Sequence, residues 1–138
     1  AGVTNVRLCN PFHEALPKRP EFDLITTFDV IHDTPYPQSL ITQIHGAVKD
    51  DGFWLCEDIK GFETFAENLE QHPIAALLYG FSVTVCMNSG LSAEDGAGLG
   101  TLGFTEQVAS QMTAASGFTG FEKLDIENPM NNYYLLSK

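Results

Sequence analysis

The chain of 138 residues carries seven Lys and Arg against eighteen Asp and Glu, a net charge of −11, and 43% of its residues are apolar. That length suits one packed domain, and the apolar content excludes a disordered chain. The acidic balance repels phosphate backbones and excludes nucleic acid as a partner. The longest apolar run, the 14 residues from Ile74 to Met87, is broken by Gly80, Ser82 and Thr84 and is too short to span a bilayer. The first residues show neither the basic nor the apolar region of a signal peptide.

In chain order, Val3 to Cys9 reads as a short strand, followed by a Pro-rich connection from Pro11 to Pro20. Phe22 to Phe28 is a nearly continuous apolar and β-branched run, of the kind buried on both faces in parallel sheets. After the loop Asp33-Thr34-Pro35-Tyr36-Pro37, the residues Leu40, Ile41, Ile44 and Val48 fall at helical spacing up to Lys49. Asp50-Asp51-Gly52 predicts the turn that ends this helix, and Phe53 to Cys56 begins a third strand.

Phe62, Phe65, Ala66 and Leu69 mark a helix interrupted at Pro73 and resumed from Ile74 to Tyr79, and Ser82 to Cys86 is strand-like. Thr105 is the expected N-cap of a helix striped by Val108, Met112 and Ala115 and closed by Gly117. Phe118 to Glu127 and Tyr133 to Leu136 complete the order as two strands joined through Asn128 to Asn132. Strands that alternate with helices and end in a strand pair predict a single α/β domain over residues 1–138. Its sheet is expected to be mostly parallel with a C-terminal antiparallel hairpin, with helices packed on it.

Gly98-Leu99-Gly100-Thr101-Leu102-Gly103 fits the dinucleotide pattern G-x-G-x-x-G, which works only where a strand delivers the first glycine. The preceding residues, Asn88 to Asp95, are polar and turn-rich, and Glu94 and Asp95 would repel a phosphate. The run therefore reads as a glycine loop before a helix, and an NAD-dependent oxidoreductase has nothing else in its favour. Cys9, Cys56 and Cys86 are far apart and sit in apolar runs, which reads as buried free thiols in a reducing cytoplasm. The four histidines are equally dispersed, so no metal site is expected, and His13, His45 and His72 read as surface or half-buried residues.

Phe22-Asp23-Leu24-Ile25 with Phe28 to Asp33, then Val48 to Leu55, then Ala115-Ser116-Gly117-Phe118, resemble the later half of class I S-adenosylmethionine-dependent methyltransferases. Ile31-His32-Asp33 and the glycine run are similar to bacterial members with an N-terminal helical dimerisation domain. The resemblance implies a partial Rossmann-like sheet and S-adenosylmethionine as the cofactor. It places Phe28 and Asp29 beside the methionine part of that cofactor and Asn10-Pro11-Phe12 near its adenine. His32 becomes a candidate base at neutral pH, and Asp58, in the strand-end run Glu57 to Lys60, a candidate facing the substrate.

From the residues alone, Asp29 reads equally as a turn cap, His32 as packing for the next helix, and Asp58 as part of a solvated turn. The D/E-x-G-x-G-x-G cofactor loop of the family does not occur in the 138 residues. The expectation is therefore the C-terminal portion of a methyltransferase for a small molecule, itself a weak or negligible binder of the cofactor. In the family the first and second strands lie between Val3 to Cys9 and Phe22 to Phe28, so these two strands should pair directly within one chain or across a homodimer. The dimer is the favoured outcome because it also covers the bare apolar face. The rival expectation is a non-catalytic α/β module stabilised by self-association.

Overall fold

The computed structural model describes residues 2–10 and 13–138. Four strands form one sheet in the order β1-β2-β4-β3: β1 is Phe22–Phe28, β2 Val48–Ile59, β3 Gly120–Lys123 and β4 Asn131–Ser137. β1 and β2 run parallel, while β4 is antiparallel to both β2 and β3. The expected α/β sheet with a terminal hairpin is present, its parallel character confined to one pair.

One expected parallel strand does not form. Val3 to Cys9 makes no ladder, and its Val3, Val6 and Leu8 side chains are exposed. Alternation of apolar residues is insufficient to make a strand where the segment forms no ladder with a neighbouring edge. β1 is consequently an edge strand, with Thr27 buried, Ile25 half-buried and the rest exposed, rather than a strand covered on both faces.

Helix α1, Pro37–Ala47, opens on a proline in its first turn and buries Ile41, Ile44 and Ala47 on one face. It stops earlier than its apolar spacing suggests, because Val48 turns extended at ψ 141° and enters β2 directly. The Asp50-Asp51-Gly52 segment is then a bulge. Phe22 faces Val48 and Leu24 faces Phe53, so five steps along β2 oppose two along β1 and three residues are extra. A Cβ on Gly52 would stand 2.8 Å from the Asp23 carbonyl oxygen, which is why the bulge carries glycine.

Helix α2, Phe65–Gln71, is set by a capping box in which the Thr64 hydroxyl accepts from the Glu67 amide and the Glu67 carboxylate accepts from the Thr64 amide. Helix α3, Ala75–Phe81, runs through a π-helical turn, Ser82–Cys86, into the single turn α4, Met87–Gly90. The strand-like letters of that segment are thus overridden. As a helical segment it buries Ser82 and Cys86 four residues apart and leaves Val83 and Val85 in solvent. The glycine run lies in the loop that follows, with Gly98 and Gly100 at positive φ, and no strand feeds it. Helix α5, Glu106–Ala115, starts at its expected N-cap, the Thr105 hydroxyl accepting from the Val108 amide.

The core fills the space between one sheet face and the helices α1 and α5: Ile41, Ile44, Trp54, Cys56, Phe104, Tyr134 and Leu136. Trp54 is fully buried and donates its indole N–H to the Thr27 hydroxyl at 3.0 Å, fastening β2 to the edge strand. Cys56 and Cys86 are buried as expected, but Cys9 is exposed because its segment packs in no sheet. His72 is buried too; its Nδ1 accepts from the Ile74 amide at 3.3 Å, and burial followed by nearby Lys60 holds its pKa below the ordinary value. No helix among the described residues is long and apolar enough to cross a membrane. Trp54→Ala is expected to cost about 3–5 kcal/mol in urea unfolding, since it removes the largest core side chain and strands the Thr27 hydroxyl.

Candidate functional site

The carboxyl ends of the parallel pair β1 and β2 gather the polar groups of the chain. Along β2 the inward row alternates Trp54, Cys56, Asp58, so the period of the strand carries a carboxylate into the core, fully buried at 0% exposure. A charge there is tolerated only if its lone pairs are filled. Asp58 Oδ2 accepts from the amides of Ile31 and His32 at 3.1 and 3.3 Å. Its Oδ1 accepts from the Ile59 amide at 2.8 Å and from His32 Nδ1 at 2.5 Å.

These bonds hold a short 3-10 turn, Ile31–Asp33, over the end of β2. The chain reaches the turn through Asp29, which adopts the left-handed φ of 51° that Asp tolerates better than most residues. The Asp29 amide donates to the Glu57 carbonyl at 3.1 Å, and its Oδ1 accepts from Asn131 Nδ2 at 2.9 Å. Glu57 in turn accepts from the Tyr133 hydroxyl at 3.1 Å.

The charges set the protonation. Burial opposes a charged His32, but its hydrogen bond to Asp58 and the carboxylates of Asp58, Asp33 and Asp29 outweigh this and raise its pKa above the ordinary value. Asp29 is raised by burial first and then by repulsion from Asp58 and Glu57. Because a carboxylate only accepts, the short bond puts a proton on His32 Nδ1 and turns Nε2 toward Asp33 Oδ1, 3.6 Å away.

The structure thus brings together His32, Asp58 and Asp29. Asp58 does not face a substrate as the sequence suggested; it is sealed in the core and acts by positioning His32, itself only 3% exposed. Phe28 stands exposed at the end of β1, next in the chain to Asp29. Asn10 lies in the exposed N-terminal segment, its carbonyl accepting from the His13 and Glu14 amides; Pro11 and Phe12 fall outside the described residues. Sequence reasoning missed Glu57, Asn131 and Tyr133, although Asn131 to Tyr134 directly precede an apolar strand end.

Beside this cluster a cleft of about 600 Å³ runs along the free edge of β1, lined by Ile25, Thr27, Val30, Pro35, Tyr36 and Leu40 among others. A smaller cavity of about 270 Å³ lies among α2, α3 and the start of α5, with Glu63, Asn68, Tyr79 and Ser82 in its wall.

No protein-family model matches the sequence, and no curated protein matches it significantly. Solved structures do match its fold. Human N-acetylserotonin methyltransferase in complex with S-adenosylmethionine aligns with a TM-score of 0.63 and 18% identity, covering 96% of this chain and 33% of that one. An O-methyltransferase-like protein of Nostoc punctiforme aligns at 0.61 and 15%, covering 87% and 33%. The C-methyltransferase domain of the citrinin polyketide synthase aligns at 0.61 and 14%, covering 89% and 30%. The chain therefore has the fold of part of a methyltransferase domain and spans about a third of the length of these solved chains.

The role of Asp58 yields a contrast between two carboxylates. Asp58→Ala, which leaves the His32 ring and three amides unpaired, is expected to lower the unfolding free energy by about 3–5 kcal/mol. Asp29→Asn, at a partly exposed site that keeps its left-handed tolerance, is expected to cost less than about 1 kcal/mol. Denaturant titration of both variants checks the difference.

Proposed function

We propose that this chain forms the C-terminal portion of the catalytic domain of a cytoplasmic S-adenosylmethionine-dependent methyltransferase that acts on a small molecule. The observation that carries the reading is the match of nearly the whole chain to solved methyltransferase folds, among them human N-acetylserotonin methyltransferase in complex with S-adenosylmethionine. The substrate class rests on that neighbour's small substrate and on the net charge of −11, which disfavours nucleic acid.

Methyl transfer needs an acceptor held in line with the sulfonium methyl, and in an open parallel sheet the site lies beyond the carboxyl ends of the strands. Asp29 is at such an end, exposed and next in the chain to Val30 of the cleft along β1, so we assign it to the cofactor, with Phe28 flanking it. A general base must come within about 3 Å of the acceptor proton. His32 Nε2 is buried and turned to Asp33, so His32 serves to fix the turn that presents Asp29.

Titration calorimetry of the 138-residue chain with S-adenosylmethionine, S-adenosylhomocysteine and NAD tests the reading. The chain carries no D/E-x-G-x-G-x-G loop to supply backbone contacts, so both sulfur cofactors are expected to bind measurably but weaker than the low micromolar range, and NAD not at all. Asp29→Asn should remove the residual binding. A preference for NAD would overturn the family reading, and a low micromolar constant for S-adenosylmethionine would overturn the weak binding.

We further propose that the chain, studied alone, associates with a second copy through β1. The strand pairs only with β2, and its free edge carries Leu24 and Phe28 at 56% and 55% exposure, a template for another strand. Symmetric pairing would satisfy the edge amides and carbonyls and set the Leu24 and Phe28 side chains of the two copies side by side on one face. Light scattering at micromolar concentration should give twice the 15.1 kDa chain mass, returning to one chain in Leu24→Lys. A stable single-chain mass for the unmodified protein would refute this.

A further inference from the structure

We propose that His32, Asp33 and Cys86 together form a binding site for a divalent transition ion of the zinc class. The sequence offers no hint of it, since Cys86 lies far along the chain from the other two and no ligand spacing exists. The fold makes it. The π-helical turn Ser82–Cys86 ends with Cys86 turned inward, against the 3-10 turn that Asp58 pins over β2.

One ligand atom each of His32, Asp33 and Cys86 lies within 4.8 Å of the other two. The 3.6 Å between Nε2 and Oδ1 is close to the edge, roughly 3.4 Å, of a tetrahedron built on metal bonds of about 2.1 Å. His32 and Cys86 are 3% and 7% exposed, so the donors are held by packing rather than by chance on the surface. Asp33 Oδ1 is itself buried with no hydrogen bond of good geometry to it among the described residues, and the Asp33 carboxylate stands close to the Cys86 thiol.

The surroundings are those of a supported ligand set. Asp58 accepts the Nδ1 proton of His32 at 2.5 Å, which fixes the ring and leaves the Nε2 lone pair free, the carboxylate–histidine arrangement that orients metal-bound imidazoles. The Thr101 hydroxyl donates to Cys86 Sγ at 2.9 Å, and the Thr101 amide is anchored on the Ser82 hydroxyl at 3.2 Å. A second group, Asp29, His32 and Asp58, shares His32. It is the poorer site, because Asp58 is already filled by backbone amides and the Nδ1 proton.

Imidazole with thiolate selects zinc-like ions over the hard cations magnesium and calcium. Carboxylate and thiolate together balance the two positive charges. Binding displaces the Cys86 thiol proton to solvent, together with the Nε2 proton wherever His32 is protonated, and forms one bond each to nitrogen, oxygen and sulfur. Three protein donors leave a fourth position for water or a ligand. Asp33, half-exposed, is the point of entry. The proposal stands whether or not the methyltransferase reading does.

Cobalt(II) added to the chelator-treated chain is the direct probe, because a thiolate–cobalt bond gives a charge-transfer band in the near ultraviolet. The band is expected to saturate at one cobalt per chain, to be bleached by one equivalent of zinc, and to persist in Cys9→Ser. Cys86→Ser should abolish it, and Thr101→Val should weaken cobalt affinity about tenfold. Should Cys86→Ser fail to fold by circular dichroism, Asp33→Asn decides, with a loss of about tenfold or more expected at this half-exposed ligand. No saturable band in the unmodified chain, a band that survives in folded Cys86→Ser, or unchanged affinity in Asp33→Asn would each overturn the site.

Discussion

A buried carboxylate with every lone pair occupied organises the end of this sheet. Asp58 lies on the same inward row as Trp54 and Cys56, where an unpaired charge would cost several kcal/mol, and the chain answers by folding donors onto it. Two of those donors are amides of the 3-10 turn and one is the His32 ring, so the turn cannot move from β2 without exposing the charge to the core. The left-handed Asp29 follows from that constraint, because the chain must reverse within two residues of leaving β1 to deliver the Ile31 amide. The same turn fixes the position of Asp33 and with it the contact to the π-helical segment.

Much of the fold is written locally. β1 runs from Phe22 to Phe28 as its apolar run indicates, α5 begins at the Thr105 cap, and the polar segment before the glycine run supplies no strand for a phosphate loop. What the sequence conceals is long-range. The bonds that build the site join residues 26, 27, 76 and 102 positions apart, and no local pattern encodes them. One signal was legible: the alternation Trp54, Cys56, Asp58 places Asp58 on the buried face, against the usual reading of a carboxylate at a strand end as solvated.

The errors share a cause as well. Val3 to Cys9 has strand-like residues that pair with no edge, and Ser82 to Cys86 has them in a helical context that neighbouring segments impose. A strand through Ser82 to Cys86 would have put Ser82, Thr84 and Cys86 on one face. The helical turn instead buries Ser82 and Cys86 and leaves Thr84 to bond its own helix, its hydroxyl donating to the Gly80 carbonyl at 2.8 Å. That difference decides whether Cys86 meets Asp33 at all.

The distribution of charge follows the same geometry. Asp29, Asp33, Glu57 and Asp58 converge at one pole of the sheet, and among the described residues none of them pairs with a lysine or arginine. The ion pairs of Lys49, Lys123 and Lys138 are spent on Asp23, Glu106 and Asp50 elsewhere. Among the described residues His32 is the basic group set among these acids, with its pKa raised, and the pKa of Asp29 is raised as well. Such a pole is a field of one sign partly shielded from water, where a cation gains more than it does at the surface. A sulfonium carries that charge, and so does a divalent ion. The two proposed sites draw on different donors: the cofactor site uses the exposed carboxylate of Asp29, while the metal site uses the enclosed nitrogen, oxygen and sulfur of His32, Asp33 and Cys86. The turn pinned by Asp58 carries His32 and Asp33 and follows Asp29 by two residues, so a displacement of that turn would disturb both at once.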